Sequence, residues 1–170
     1  MLRALGRLDV AVLRTARTRG HTARMERSVA AFSRLGEHGL IWLGIGAAAA
    51  LVCPRRRSDW GRAAATVLGA YLANTALKLG VRRRRPRLAG LPPLIGTPTG
   101  LSFPSSHATT SFAAAGLYRR LGAPGGPLMA LAVALSLSRL YLGVHYPSDV
   151  IAGALGGTLV ARAAGRSVTS

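Results

Sequence analysis

The chain is poor in acids, aromatics, lysine and cysteine. Its 170 residues hold five carboxylates, Asp9, Glu26, Glu37, Asp59 and Asp149, against 23 basic side chains. Lys78 is the single lysine among those bases, and Cys53 is the single cysteine. One thiol excludes an internal disulfide and says nothing about compartment. So few acids also weigh against the carboxylate cluster of a two-metal phosphoryl-transfer centre. What is plentiful is Ala, Gly and Arg. Hydrophobic residues make up 49% of the chain, mean hydropathy is positive, and the net charge is +18. A charge of that size needs an anionic partner: nucleic acid, a membrane surface or a phosphorylated substrate. The bases stand between long apolar runs and not on a polar domain face. That argues against nucleic acid and for a membrane protein.

The apolar runs describe an all-α chain, a polytopic membrane helical bundle of about five transmembrane helices. They cover 38–53, 61–81, 103–118, 126–143 and 148–164, judged against the roughly 20 apolar residues that cross a bilayer core. The third run carries several hydroxyls, which predicts burial against neighbouring helices. Gly153 and Gly157 have the small-xxx-small spacing that lets helix backbones approach. Residues 1–37 form an N-terminal segment ahead of a membrane-embedded domain, 38–170. At about 100° per residue, Leu2, Leu5, Leu8, Val12 and Leu13 share one side of a helix. Arg3, Arg7, Arg14 and Arg17 share the other. This predicts an amphipathic helix lying in the membrane interface.

Three short segments stand at span ends, and all three emerge on one face if each span crosses once. The first is Lys78 with Arg85-Pro86. Lys78 lies inside the apolar run, where a compact ammonium reaches inward, while Arg82, Arg83 and Arg84 are read as lipid head-group contacts. The second is Pro104-Ser105-Ser106-His107, a helix start with a Ser cap and free N–H groups suited to an anion. The third runs from Ser138 to Asp149. Arg139 sits near the end of an apolar helix, where an ionised side chain is expensive. Gly143 and Pro147 break the helix around His145, and Asp149 follows four residues later. A carboxylate at one imidazole nitrogen fixes the tautomer and leaves the other nitrogen to react. Cations with helix N–H groups suit a phosphate, and two histidines suit a nucleophile and a general acid. Asp149 is the only acid expected at this face. The chemistry is therefore expected to use no metal and no cofactor, with Lys and Arg as the charge clamp. His21 and His38 are assigned no role.

In order and spacing, these segments resemble the three-part signature of the type 2 phosphatidic acid phosphatase superfamily, the lipid phosphate phosphatases related to vanadium haloperoxidases. The sequence departs from that signature at Ser106, where the family usually has Gly. The resemblance implies that His145 attacks phosphorus to form a phosphohistidine, that Asp149 orients it, and that His107 protonates the leaving oxygen. It implies that Lys78, Arg85 and Arg139, with Ser105 and Ser106, hold the phosphate oxygens. The implied substrate is a lipid phosphate: phosphatidic acid, phosphatidylglycerophosphate, a polyprenyl diphosphate or a polyprenyl-phosphate sugar, with polyprenyl carriers favoured by the small size. The implied place is the cell membrane, with the site on the extracytoplasmic face. Connections at the opposite end carry eight arginines against five in the catalytic-face loop, in line with positive-inside, although the N-terminal segment adds eight more to the catalytic side. The competing reading is a non-catalytic Arg-rich membrane protein that binds anionic lipid or a partner. A vanadate-dependent haloperoxidase is disfavoured by the short apolar chain.

Overall fold

The computed structural model describes residues 2–168. Seven α-helices follow one another: α1 Leu2–Thr18, α2 Ala23–Arg34, α3 Leu40–Val52, α4 Arg57–Val81, α5 Ser106–Arg120, α6 Gly125–Tyr141 and α7 Pro147–Val168. No strand occurs among the described residues. Two isolated bridges, Arg84 with Leu101 and Leu88 with Leu91, pin the loop between α4 and α5. Each of the five expected apolar runs is a helix, α3 to α7, with ends shifted by a few residues.

α5 is the central helix, and its composition explains why. Ala108, Ala113, Ala114 and Ala115 are buried, and so are Thr109, Thr110 and Ser111. Small side chains let three neighbours close on it. The hydroxyls of Thr109 and Thr110 donate one turn back, to Ser105 O at 3.1 Å and Ser106 O at 2.9 Å, so their burial leaves no donor unpaired. Ser111 accepts from the buried indole N–H of Trp42 at 2.9 Å, and the Tyr118 hydroxyl donates to Trp42 O at 2.8 Å. α7 lies almost against this helix. A Cβ on Gly153 would fall 2.5 Å from Ser105 O, and one on Gly157 would collide with Thr109 O. The two glycines therefore do set the helix spacing, as their sequence interval predicts.

By length and composition α4, with its preceding turn (Pro54–Val81), is long and apolar enough to cross a membrane. α2 and the stretch Glu37–Val52 pass the same criterion together, bent by 43°. α6 is apolar but has 17 residues, and α3 has 13. At about 1.5 Å per residue α6 spans some 26 Å. The outward faces are apolar: Leu68 and Leu72 on α4, and Ile151, Leu155 and Leu159 along α7, are all exposed.

The N-terminal helix departs from expectation. Leu2 and Arg3 lie outside the described side chains; among the rest the buried residues are Asp9, Leu13 and Arg17, four apart, while Leu5, Leu8 and Val12 stay exposed. Arg17 does not share an outer basic face, because its guanidinium donates to Pro92 O at 2.7 Å and Tyr141 O at 3.2 Å. Loop carbonyls at the bundle end supply acceptors that a helical wheel cannot show. α1 and α2 thus lie across the end of the bundle from which the three motif segments emerge.

Candidate active site

Local structure brings the three segments together. Lys78 is in the last turn of α4, and Arg139 is in the last turn of α6. Ser106 and His107 open α5, and His145 sits in the turn between α6 and α7. With Arg85 from the loop, these six side chains line one open cavity of about 550 Å³. Ser105 and Asp149 are fully buried behind it, joined by a main-chain bond from Ser105 N to Asp149 O at 3.0 Å.

The three cations in the cavity are held by neutral oxygens. Lys78 Nζ donates to Ser102 O at 3.3 Å. Arg85 donates from Nε to Thr99 O at 2.8 Å and from Nη1 to Val144 O at 2.7 Å. Arg139 Nη1 donates to Ser33 Oγ at 2.6 Å. Carbonyl and hydroxyl dipoles orient these groups without cancelling their charge, so the positive potential is left for a ligand. Burial lowers the Arg85 guanidinium to about 10, which keeps it charged at neutral pH. Among the described residues, four buried side-chain atoms lack a hydrogen-bond partner. Three of them, Ser105 Oγ, Arg139 Nε and His145 Nδ1, belong to this site. An unsatisfied buried donor costs about 1–3 kcal/mol, and an oxyanion in the cavity can relieve that cost for Arg139, which lines it.

His145 is oriented on both sides. Its Nε2 lies 3.1 Å from Arg85 Nη1. A guanidinium only donates, so Nε2 is the unprotonated nitrogen and Nδ1 carries the hydrogen. Nδ1 faces Asp149 Oδ2 at 3.6 Å, an ion-pair distance beyond a direct hydrogen bond. Burial, then the charges of Arg85, Arg139 and Lys78, push the imidazole well below its usual value, so it is neutral at pH 7. Asp149 is the third residue of α7 and reaches back to accept from Tyr146 N–H at 2.8 Å, the carboxylate half of a capping box. Pro147 occupies the first helical position, where its missing N–H costs nothing. His107 is gripped from the N-terminal arm: its Nε2 lies 2.9 Å from Ser33 O, so that nitrogen is the donor.

Several expectations need correction. Arg83 is not a head-group contact. Its Nη1 lies 2.7 Å from both Asp149 Oδ1 and Ser148 Oγ, its Nη2 lies 2.8 Å from Asp9 Oδ2, and its guanidinium stacks 4.2 Å from the Tyr146 ring centre. Asp149 is not the only acid at this face either: α1 delivers Asp9 to Ser148 at the start of α7, and the turn after α2 delivers Glu37 to the cavity wall. Ser105 is the residue before α5, but its side chain makes no capping bond. The α5 N–H groups thus have no competing hydroxyl. Ser106, in place of the family's Gly, turns its Oγ to accept from Asn74 Nδ2 at 2.8 Å. His38, given no role, bonds through Nδ1 to the Tyr71 hydroxyl at 2.7 Å at the cavity rim. Ser33, Asp9 and Glu37 carry no sequence signal, since they precede the motifs and meet them only in space. Arg83 had one: it lies two residues before Arg85 in a segment made extended by Pro86, so the two point to the same side.

Gly36 adjoins the His107 ring, and a Cβ there would fall 2.7 Å from His107 Cδ2. Gly36→Ala is expected to displace the imidazole. Hydrolysis of an alkyl phosphate ester should fall about a hundredfold, the usual size of a general-acid contribution. With p-nitrophenyl phosphate, whose leaving group needs no proton, the loss should be much smaller. Equal losses on one detergent-purified preparation would mean that Gly36 supports the fold and not the ring.

Known proteins resemble this chain in both sequence and fold. Decaprenylphosphoryl-5-phosphoribose phosphatase of Mycolicibacterium smegmatis is 44% identical over 124 residues, 72% of this chain and 68% of that one. The protein of the same name from Mycobacterium tuberculosis is 45% identical over 129 residues, 75% and 72% of the two chains. The fold matches a PAP2-type phosphatidylglycerolphosphate phosphatase from Bacillus subtilis with a TM-score of 0.75 at 23% identity, over 98% of this chain and 85% of that one. It matches Aquifex aeolicus LpxE with a TM-score of 0.71 at 21% identity, over 92% and 93%. The sequence model of the PAP2 superfamily matches residues 59–169, which include all three motif segments. The chain belongs to the PAP2 superfamily and is a phosphoric ester hydrolase of the membrane lipid-phosphatase kind.

Proposed function

We propose that the chain removes phosphate from a polyprenyl-phosphate-linked sugar phosphate through a metal-free phosphohistidine intermediate. The observation that carries this reading is the convergence of Lys78, Arg85, Arg139, His107 and His145 on one cavity whose cations hydrogen-bond to neutral groups and, among the described residues, to no carboxylate. The phosphate oxygens are taken by the three cations and by the free N–H groups and Ser105–Ser106 hydroxyls at the start of α5. Arg85 Nη1 turns from His145 Nε2 to a phosphate oxygen, the freed Nε2 lone pair attacks phosphorus, and the bond from phosphorus to the leaving oxygen breaks. The bound phosphate anion stabilises His107 as the imidazolium; its Nε2–H stays on Ser33 O and its Nδ1 proton passes to the leaving oxygen. Asp149 stabilises the positive charge that develops on His145. Water then attacks the phosphohistidine and gives a proton to His107 Nδ1, the P–N bond to His145 breaks, and inorganic phosphate leaves. The cations do what a metal does elsewhere; each phosphate contact contributes roughly 4 kcal/mol of Coulomb attraction at 4 Å and an effective dielectric near 20, before desolvation.

The substrate reading joins the relatives' names to the rim of the cavity. Glu37, Tyr71 and Thr75 line the outer wall, and the Glu37 carboxylate, whose charge acts on Arg139, is the acid of that wall. A carboxylate beside an anion pocket repels a second phosphate and accepts from hydroxyls. It therefore favours a sugar-borne monophosphate over a diphosphate. We read α3 to α7 as five spans, with the catalytic end extracytoplasmic. Arg55, Arg56, Arg57, Arg119, Arg120 and Arg162 cluster at or near the opposite end, which suits the cytoplasmic side.

The chemistry is tested by trapping. Wild-type protein in EDTA should keep its activity and give an acid-labile phosphoenzyme, and His145→Ala should give none. Because His145 is held below its usual value, it loses its free lone pair only as pH falls through that lowered value. The acid limb of kcat/KM, which reports the free enzyme, should therefore lie below 6.5. Complete loss in EDTA with recovery on Mg²⁺ would reject the mechanism.

For the substrate, Glu37→Gln should lower kcat/KM for a sugar-linked monophosphate and raise it for a polyprenyl diphosphate. The preference should move by about tenfold, or ~1.4 kcal/mol; an unchanged ratio would remove Glu37 from substrate selection.

Orientation can be read with the native thiol, because Cys53 is exposed at the end of α3 away from the cavity. A membrane-impermeant maleimide should leave Cys53 unlabelled in intact cells. It should label Thr97→Cys in a Cys53→Ser background. The reverse pattern would put the site inside.

A further inference from the structure

Two arginines in one extended segment meet different fates. Arg85 enters the cavity and touches only neutral groups. Arg83 is shared between two buried carboxylates, Nη1 on Asp149 Oδ1 and Nη2 on Asp9 Oδ2. Asp9 comes from α1, outside the residues matched to the family. We propose that Asp9 is a positioning residue for the reaction, holding one arm of Arg83 so that Asp149 keeps its second oxygen for His145.

The argument follows from guanidinium geometry. Left alone with one carboxylate, an arginine fork tends to bind both oxygens in parallel. A bidentate Arg83–Asp149 pair would engage Oδ2, which now accepts from Tyr146 N–H and faces His145 Nδ1. It would also neutralise the charge that supports a developing imidazolium. With Nη2 committed to Asp9, only Nη1 reaches Asp149. Asp9 is itself fixed on the first turn of α7: Oδ1 accepts from Ser148 N–H at 2.9 Å, and Oδ2 from Ser148 Oγ at 2.5 Å. These bonds and Arg83 hold the Asp9 carboxyl below its ordinary value, although burial alone would raise it. The carboxylate therefore stays charged at the helix N-terminus, where a negative group is favoured. Asp9, Ser148 and Asp149 thus form one rigid frame around the Arg83 fork.

The inference rests on His145 being the nucleophile, which His145→Ala trapping tests separately. The decisive measurement is a double-mutant cycle of Asp9→Asn and Arg83→Gln. Rates are expressed per site that traps phosphate, which removes any unfolded fraction. Asp9→Asn is expected to lower kcat about tenfold with KM within about twofold of wild type, the pattern of a group that acts on the reacting geometry. Arg83→Gln should lower kcat further, and the double variant should be no worse than Arg83→Gln alone. Additive losses would mean that Asp9 acts independently of Arg83 and would overturn the proposal. Arg83→Lys covers the case in which Asp9→Asn fails to fold. One ammonium cannot hold both carboxylates in the observed arrangement, so it should lose activity like Arg83→Gln. Wild-type activity in Arg83→Lys would equally overturn the proposal.

Discussion

The mutual repulsion of Lys78, Arg85 and Arg139 is the constraint on which the rest of this molecule depends. Three cations must be held close together, partly out of water, without being neutralised. Carboxylate partners would hold them more tightly but would occupy the charge a phosphate needs. The structure uses Ser102, Thr99 and Val144 carbonyls and the Ser33 hydroxyl instead. Such dipoles offset part of the desolvation cost and leave the net charge in place. Arg83 is the contrast that makes the rule visible: outside the cavity, it is paired with two carboxylates. In the proposed mechanism the same residue type serves as ligand clamp or as scaffold according to what its neighbours leave unsatisfied.

Those neutral oxygens come from distant parts of the chain, so their placement depends on packing. α5 is pressed against α7 through Gly153 and Gly157, and this contact fixes Ser105 against Asp149. Ser33, at the end of α2, gathers His107, Ser138 and Arg139 around one residue. A small side chain there gives two groups an acceptor in little space. Gly36 leaves room for the His107 ring beside it. The two histidines are thereby treated differently: His145 has a carboxylate behind it, and His107 has a carbonyl. In the proposed mechanism the carboxylate stabilises the positive charge that develops on His145. A carbonyl fixes a tautomer with less effect on proton affinity, which suits the general-acid role proposed for His107.

The N-terminal helices show why amphipathicity is an incomplete guide. α1 has apolar and basic residues at helical spacing, but its buried face is Asp9, Leu13 and Arg17. Polar groups can be buried there because the bundle end presents acceptors and donors, namely Pro92 O, Tyr141 O, Ser148 N–H and Arg83. Leu5, Leu8 and Val12 are left outward. The helix therefore docks by specific hydrogen bonds and keeps its apolar stripe for its surroundings.

The motif residues and the helical bundle were legible in the sequence because both rest on local regularities. Apolar runs report helices, Gly and Pro report the breaks around His145, and fixed spacings place Lys78, His107, Arg139, His145 and Asp149 at or beside helix ends and Arg85 in the loop that follows α4. The Ala- and hydroxyl-rich composition of α5 likewise announces a helix buried on every side. Only the tertiary structure decided which acids reach the site, what holds each cation, and that Arg83 belongs to the frame. The reason is physical. Spacing along one helix or turn is set by backbone geometry, whereas Asp9 meets Arg83, and Ser33 meets His107, across more than 70 residues of chain. Such meetings depend on how whole helices pack, and no local pattern encodes them.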